Sequence, residues 1–266
     1  MKLRERFADS KFVLLSHGLM IMDELHDEKN VNSSGWLGKI LLEEKAQRKV
    51  FDLVFTLTEE ECALEKWLGT PQTCWVPRTV EPSVLEWNPI GGRVGFVGTL
   101  DHPPNRQALV AVLNQLRHLK LPSEFQLHIV GRPADVGRSL ADIYPFVRYL
   151  GALNDDDLRK EAATWCCFAH PLFAFARGCS TKLAVALAWQ IPILATPTGV
   201  RGYKWNRGKL PLESTPEHFA KHLVSLSDPQ LAAREREQVR TVAGSIANTD
   251  TIIAEVVSAL RSIGVV

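Results

Sequence analysis

Residues 93–116 read RVGFVGTLDHPPNRQALVAVLNQL. A short apolar run, residues 93–97, ends in a glycine, and after a polar loop Ala108, Leu109, Val112, Leu113 and Leu116 recur at the spacing of one helix face. Proline suits the first turn of that helix, opening near Pro104, because its missing N–H would have had no intrahelical partner there. Strand, glycine turn and helix make the opening unit of an open parallel sheet, and the chain repeats the unit. Strands are expected at 125–130, 146–150, 166–169 and 192–196. They alternate with helices after Ala134, after Asn154 and over 181–189. Asn154 is a natural cap for the helix behind it, and Asp155, Asp156 and Asp157 suit that helix's positive end. The pattern is that of an α/β protein with a mostly parallel sheet. Gly98, Gly131 and Gly151 each fall just past a strand end, where such a sheet binds ligands.

Working outward, residues 11–15, 51–57 and 73–76 read as strands, with helices at 38–49 and 59–68. The stretch 77–92 carries three prolines and two glycines and reads as an interdomain linker. Downstream, 219–226 and 231–242 look helical, and Ile252, Ile253, Val256, Val257, Leu260 and Ile263 form the stripe of a last helix. The expected organisation is a partial N-terminal α/β domain over 1–88, a Rossmann-like domain over 89–248, and a C-terminal helix over 249–266 packing back toward the first.

Composition narrows the function. The 266 residues are 45% apolar, enough for a sizeable core, and 31 basic against 30 acidic side chains create no global field for nucleic acid or an anionic membrane. The five cysteines show neither zinc-site nor disulfide spacing. The longest apolar runs, 12–15 and 191–195, are far short of the roughly 20 residues that span a bilayer. The first residues lack the plan of a signal peptide. A cytoplasmic setting is expected, with peripheral contact at the inner membrane face left open. A dinucleotide dehydrogenase is excluded, since no G-x-G-x-x-G opens a strand–helix unit.

The stretch VGFVGTLDHPPN (94–105) resembles the entry to the second Rossmann domain of group 1 glycosyltransferases. LHIVGRP (127–133), RYLGAL (148–153), TKLAVALAWQIPILATPTGVRG (181–202) and the helix after STPEHFAKHL follow the same family's order. The resemblance implies a GT-B arrangement with an incomplete N-terminal domain. It implies that a nucleotide diphosphate sugar binds mainly to the second domain, that a glycan or lipid-linked acceptor binds to the first, and that transfer needs no obligatory metal or further cofactor. A diphosphate calls for backbone donors at a helix N-terminus together with a cation. Gly178, Cys179, Ser180 and Thr181 precede a helix whose first turn holds Lys182, with Arg177 nearby. Gly98, Thr99, Asn105, Arg132 and His170 complete the expected donor site. The bland alternative makes Lys182 and Arg177 surface charges. His17, at a strand end, either contacts the transferred sugar or takes the acceptor proton, or merely satisfies a neighbouring backbone group.

The departures from the family pattern are as informative. Its paired glutamates would fall on Arg177 and Val185, the second of which normally holds the donor ribose. Its basic residue after the first-loop glycine is Thr99, and the glycine before its proline strand is Gln190. The family's acceptor domain begins with a strand, a glycine-rich loop and several further units that this sequence lacks before Met1. A fragment, a reduced enzyme and a degenerate subunit completed by a partner chain all remain open. Two further readings stay bland. His26 with Asp23, Glu24 and Asp27 reads as a solvated acidic turn rather than a metal site. Trp67, Trp165 and Trp189 read as core, and Trp36, Trp75, Trp87 and Trp205 as loop or edge residues. Of these, Trp205 is expected near the cleft.

Overall fold

The computed structural model describes residues 2–25, 34–174 and 177–265. Its larger sheet comprises β4 (Arg93–Val97), β5 (Gln126–Val130), β6 (Val147–Gly151), β7 (Cys167–His170) and β8 (Ile193–Ala195). They are ordered β6-β5-β4-β7-β8, and every pairing is parallel. The order reverses between β4 and β7, the switch point at which a doubly wound sheet opens a crevice.

Both faces of this sheet are sealed by apolar helices. On one, α5 (Pro103–Leu116), α6 (Ala134–Ile143) and α9 (Pro216–Ser225) bring Leu113, Leu140 and Phe219 onto Val94, Phe96 and Ile129. On the other, α7 (Asp155–Ala162), α8 (Thr181–Trp189) and α10 (Pro229–Ala243) bring Ala162, Leu187 and Val239 onto Val130 and Phe168. Each fully buried side chain of this size contributes about 1.5–3 kcal/mol, before entropy is counted. Trp165 lies flat over β4 because Gly95 leaves it room: a Cβ there would stand 2.0 Å from the indole. His128, inside β5, bonds Glu161 at 2.5 Å, and Trp165 Nε1 donates to the same carboxylate at 2.9 Å.

The smaller sheet holds three parallel strands, β1 (Val13–Leu15), β2 (Leu53–Thr56) and β3 (Thr73–Trp75), with β2 central. Val13 and Leu15 pair with Leu53 and Phe55, and Phe55 with Cys74, so these side chains share one face. The last helix, α11 (Thr249–Ser262), covers Leu53, Phe55 and Cys74 with Val256, Ala259, Leu260 and the following Ile263. On β1, Val13 and Leu15 are outside this cluster, and Leu15 is 74% exposed. Behind the sheet lie α2 (Met20–Glu24), α3 (Ser34–Arg48) and α4 (Glu59–Trp67), joined by a small cluster of Leu19, Ile21, Ile40 and Leu68.

Buried acids do much of the joining in this unit. Glu65, 1% exposed, takes a bidentate contact from Arg48 at 3.0–3.2 Å and a hydroxyl from Thr70 at 2.8 Å. Glu44 caps α2 by accepting from the Met20 and Ile21 amides. This overturns the expected burial of Trp67, which is 73% exposed. The buried stripe of α4 is Glu61, Cys62 and Glu65, so the helix is turned by its acids and the indole faces out. Trp165 and Trp189 are buried as expected.

Two short helices, α1 (Lys2–Arg6) and α2, have no sequence signal, being too brief to show a period. Asn154 caps α7, its side-chain oxygen accepting from the Asp157 amide. Gln190 ends α8 at φ 54, where the family's glycine would be free of strain, and its carbonyl is held by Arg236 Nε at 2.8 Å. His26 and Asp27 lie outside the described residues; Asp23 pairs with Arg177.

Candidate functional site

The C-terminal ends of β4, β5, β6 and β7 open together into a cavity of about 570 Å³, within the usual range for small-molecule sites. Each strand contributes the turn that follows it: Gly98 and Thr99, Gly131 and Arg132, Ala152 and Leu153, His170 and Leu172. The far wall is Arg177, Cys179, Ser180, Thr181, Lys182 and Arg201, with His102, Pro104 and Asn105 from the start of α5.

The glycines allow this convergence. A Cβ on Gly131 would come within 1.8 Å of the Gly98 carbonyl oxygen, so the turns after β4 and β5 meet only because residue 131 carries no side chain. Opposite them α8 begins at Thr181, capped by Ser180, whose hydroxyl accepts from the Leu183 amide at 3.4 Å. The first-turn amides of this nine-residue helix carry partial positive charge at that end. Lys182 Nζ donates to Asn105 Oδ1 at 2.7 Å, and Asn105 Nδ2 to the Thr99 carbonyl at 3.0 Å, tying the helix start to the first loop.

The electrostatics are one-sided. Arg132, Arg177, Lys182 and Arg201 line the cavity, and among the described residues no Asp or Glu lines it. Burial brings the Lys182 ammonium down to about 8 from its ordinary 10.5. Burial, with Lys182 nearby, brings His170 down to about 3 and keeps its imidazole neutral. His170 is 3% exposed, and its Nε2 has no hydrogen-bond partner among the described residues. That atom is buried beside the Gly199 turn, 3.3 Å from where a Cβ on Gly199 would stand. Arg201 is held by the Thr198 carbonyl at 2.7 Å and the Arg177 carbonyl at 3.3 Å.

Of the residues expected from sequence, Gly98, Thr99, Asn105, Arg132, His170, Arg177, Cys179, Ser180, Thr181 and Lys182 all line this one cavity. Gly178 does not: it lies behind the wall, its amide donating to Glu61 Oε1 at 2.5 Å. His17 is not in the wall either. Its side chain is exposed at the end of β1, and its carbonyl oxygen stands 3.9 Å from where a Gly178 Cβ would be. Val185, one turn beyond Thr181, is 42% exposed and outside the lining.

Trp205 is not at the cleft as expected. It bridges to Ile246 and borders a separate depression with Glu59, Trp75, Tyr203 and Lys204. The chain turns away after Arg201, where Tyr203 bonds the Ser180 carbonyl. Sequence reasoning missed Arg201, whose signal was a basic residue two positions after Gly199, and the apolar Leu153, Leu158 and Leu172, which carried none.

The family model described as glycosyl transferases group 1 matches residues 91–228. No curated protein sequence matches the chain. Among solved structures, HepE from Anabaena, crystallised with UDP and glucose, superposes with a TM-score of 0.65 at 15% identity. The match covers 97% of this chain and 73% of that one. Sucrose-phosphate synthase from Thermosynechococcus elongatus gives 0.63 at 17% identity, covering 98% and 70%. The lipopolysaccharide outer core galactosyltransferase WaaB gives 0.61 at 14%, covering 98% and 78%. These likenesses share the GT-B fold.

Proposed function

The chain belongs to the group 1 glycosyl transferases, and from that footing we propose that it binds a nucleotide diphosphate sugar in the cavity before α8 and transfers the sugar to a glycan or lipid-linked acceptor. The observation that carries this reading is the charge of the wall: four cationic side chains, no carboxylate among the described residues, and the amino end of a helix face one space. A diphosphate suits such a place, since a charge-assisted hydrogen bond there contributes about 1.5–3 kcal/mol. In this reading the side chains neutralise the phosphates without a cofactor. HepE and WaaB, as named above, lend the substrate class by analogy. His17, exposed and next to Gly178, is the candidate on the acceptor side. The work belongs in the cytoplasm, peripheral to the inner membrane face where the acceptor is lipid-linked.

A second reading has its own observation. Arg177, standing where the family carries its first glutamate, is bound to Asp23 at 2.6 Å, and Val185 offers nothing to a ribose hydroxyl. A catalytically degenerate module that binds a glycan or a partner without turnover is therefore the alternative. The exposed face of β1 is the surface we assign to a partner chain. The complementary element is an edge strand followed by a helix, the strand extending the sheet and the helix covering Val13 and Leu15 as α11 covers Leu53 and Phe55.

Calorimetry with UDP and GDP decides between the readings. The proposal expects binding by the wild-type chain, at least about tenfold weaker in Lys182→Ala, since each 1.4 kcal/mol is one decade. Sugar should also appear on an acceptor. No binding of either nucleotide by the wild-type chain leaves the non-catalytic module.

A further inference from the structure

We propose that Glu61, on the smaller unit, is a positioning residue that holds the segment 177–180 in its ligand-ready shape from behind; the inference rests on the nucleotide-binding reading above. Arg177 and Cys179 both face the cavity, and Gly178 between them is left-handed at φ +70, which turns its amide away from the cavity. That amide meets Glu61 Oε1 at 2.5 Å. The carboxylate is 1% exposed, and its other oxygen has no partner among the described residues.

Glu61 reaches this place from the first turn of α4. Thr58-Glu59-Glu60-Glu61 has the form of a capping box, and half of it is made: the Thr58 hydroxyl accepts from the Glu61 amide at 3.1 Å. In the usual second half the glutamate turns back to the cap's own amide. Here Glu61 carries its carboxylate to the other unit, although burial pushes its carboxyl up against the pull of the Gly178 amide, the Arg201 charge and the nearby Leu57 backbone and Thr58 side chain. A buried acid in that position needs a reason, and the amide it meets lies between two residues that line the cavity.

The surroundings fit the same task. Gly18, at φ +96, leaves space for Arg177: a Cβ there would lie 2.5 Å from Arg177 Cβ. Arg177 itself is drawn to Asp23, its Nε 2.6 Å from Oδ2. On the opposite side, a Cβ on Gly202 would stand 2.4 Å from Cys179 Cβ and 2.7 Å from the Leu57 carbonyl oxygen. Glu61, Gly18 and Asp23 of the smaller unit thus meet a segment whose front lines the cavity, while Gly202 of the larger unit packs against Cys179. Among the described residues the smaller unit contributes no side chain to the cavity wall, yet the wall depends on it.

The test compares Glu61→Met with Glu61→Gln in the full chain. Methionine keeps the volume, removes a buried charge and offers no acceptor, whereas the glutamine oxygen takes the same amide. Expected is a loss of at least tenfold in UDP or GDP affinity for Glu61→Met, with Glu61→Gln near wild type. Hydrogen exchange at Gly178 to Ser180 should quicken at least tenfold in Glu61→Met while the amides of β4 keep their protection. Glu61→Ala replaces the methionine variant if that chain does not fold. Unchanged exchange and affinity in Glu61→Met, or equal losses in Met and Gln, overturn the proposal. A wild-type chain that binds no nucleotide ends the functional reading, but the exchange at Gly178 still decides for or against Glu61.

Discussion

The two sheets of this chain are built from the same strand–helix grammar and are held together differently. In the larger one, helices cover both faces, and apolar side chains at or near zero exposure fill the space. In the smaller one, α11 covers two strands of three, and buried glutamates join helix to helix and unit to unit. Apolar packing is non-directional and tolerates repacking. A buried carboxylate needs its particular partner, and losing that partner leaves a charge that water cannot reach. The larger unit is therefore robust in itself, whereas the smaller one is specific about its neighbours, including the segment before α8.

The sharpest way to break this comparison is Arg48→Met. It strands Glu65, and urea unfolding should show a loss of about 3–5 kcal/mol. Replacing Glu65 by leucine in the same chain should restore most of it; a single-variant loss below about 1 kcal/mol would mean that the pair is not what holds α3 to α4.

Acid should act in opposite senses on one buried glutamate of each unit. In the larger one, burial raises the Glu161 carboxyl, but the bonds from His128 and Trp165 outweigh it and leave it below its ordinary 4.5. Its stabilisation is present above 4.5 and lost as pH falls through the lower folded value. In the smaller one, burial leaves Glu61 above 4.5. Its ionisation costs stability at neutral pH, and that cost is gone once pH has fallen below 4.5. Carbon-13 titration of the two carboxyls should place them on opposite sides of 4.5, and a shared midpoint would remove the distinction.

The smallest expected effect is Leu15→Lys. With Leu15 so exposed, the unfolding free energy of the isolated chain should move by no more than about 0.5 kcal/mol. Loss of several kilocalories per mole would mean that β1 is covered within this chain after all.

What could be read beforehand follows the same division. The larger sheet was legible nearly to its boundaries, because its strands and helices bury apolar residues at regular periods, and its cavity was legible because glycines mark the strand ends. The smaller unit's strands were legible too, but the facing of its helices was not. In α4 the inward positions are Glu61 and Glu65, the residues a hydrophobic period assigns to solvent, and so Trp67 was put on the wrong side. Gly178 was picked for its place before a helix, but that its amide turns backward depends on a partner over a hundred positions away in the chain. No local pattern encodes such a contact. Trp205 failed for a related reason, since Tyr203 anchors to Ser180 and carries the following residues out of the cleft.

One consequence of burying Lys182 concerns protons rather than shape. With burial bringing its ammonium down to about 8, Lys182 loses its proton far more readily than an exposed lysine. A nucleotide diphosphate arriving there favours the charged form and draws the missing proton from the solvent. Uptake of the anion is then an exchange with the bulk rather than a simple addition. The heat it releases depends on which buffer gives up the proton, and the affinity declines toward alkaline pH although the ligand's own charge no longer changes.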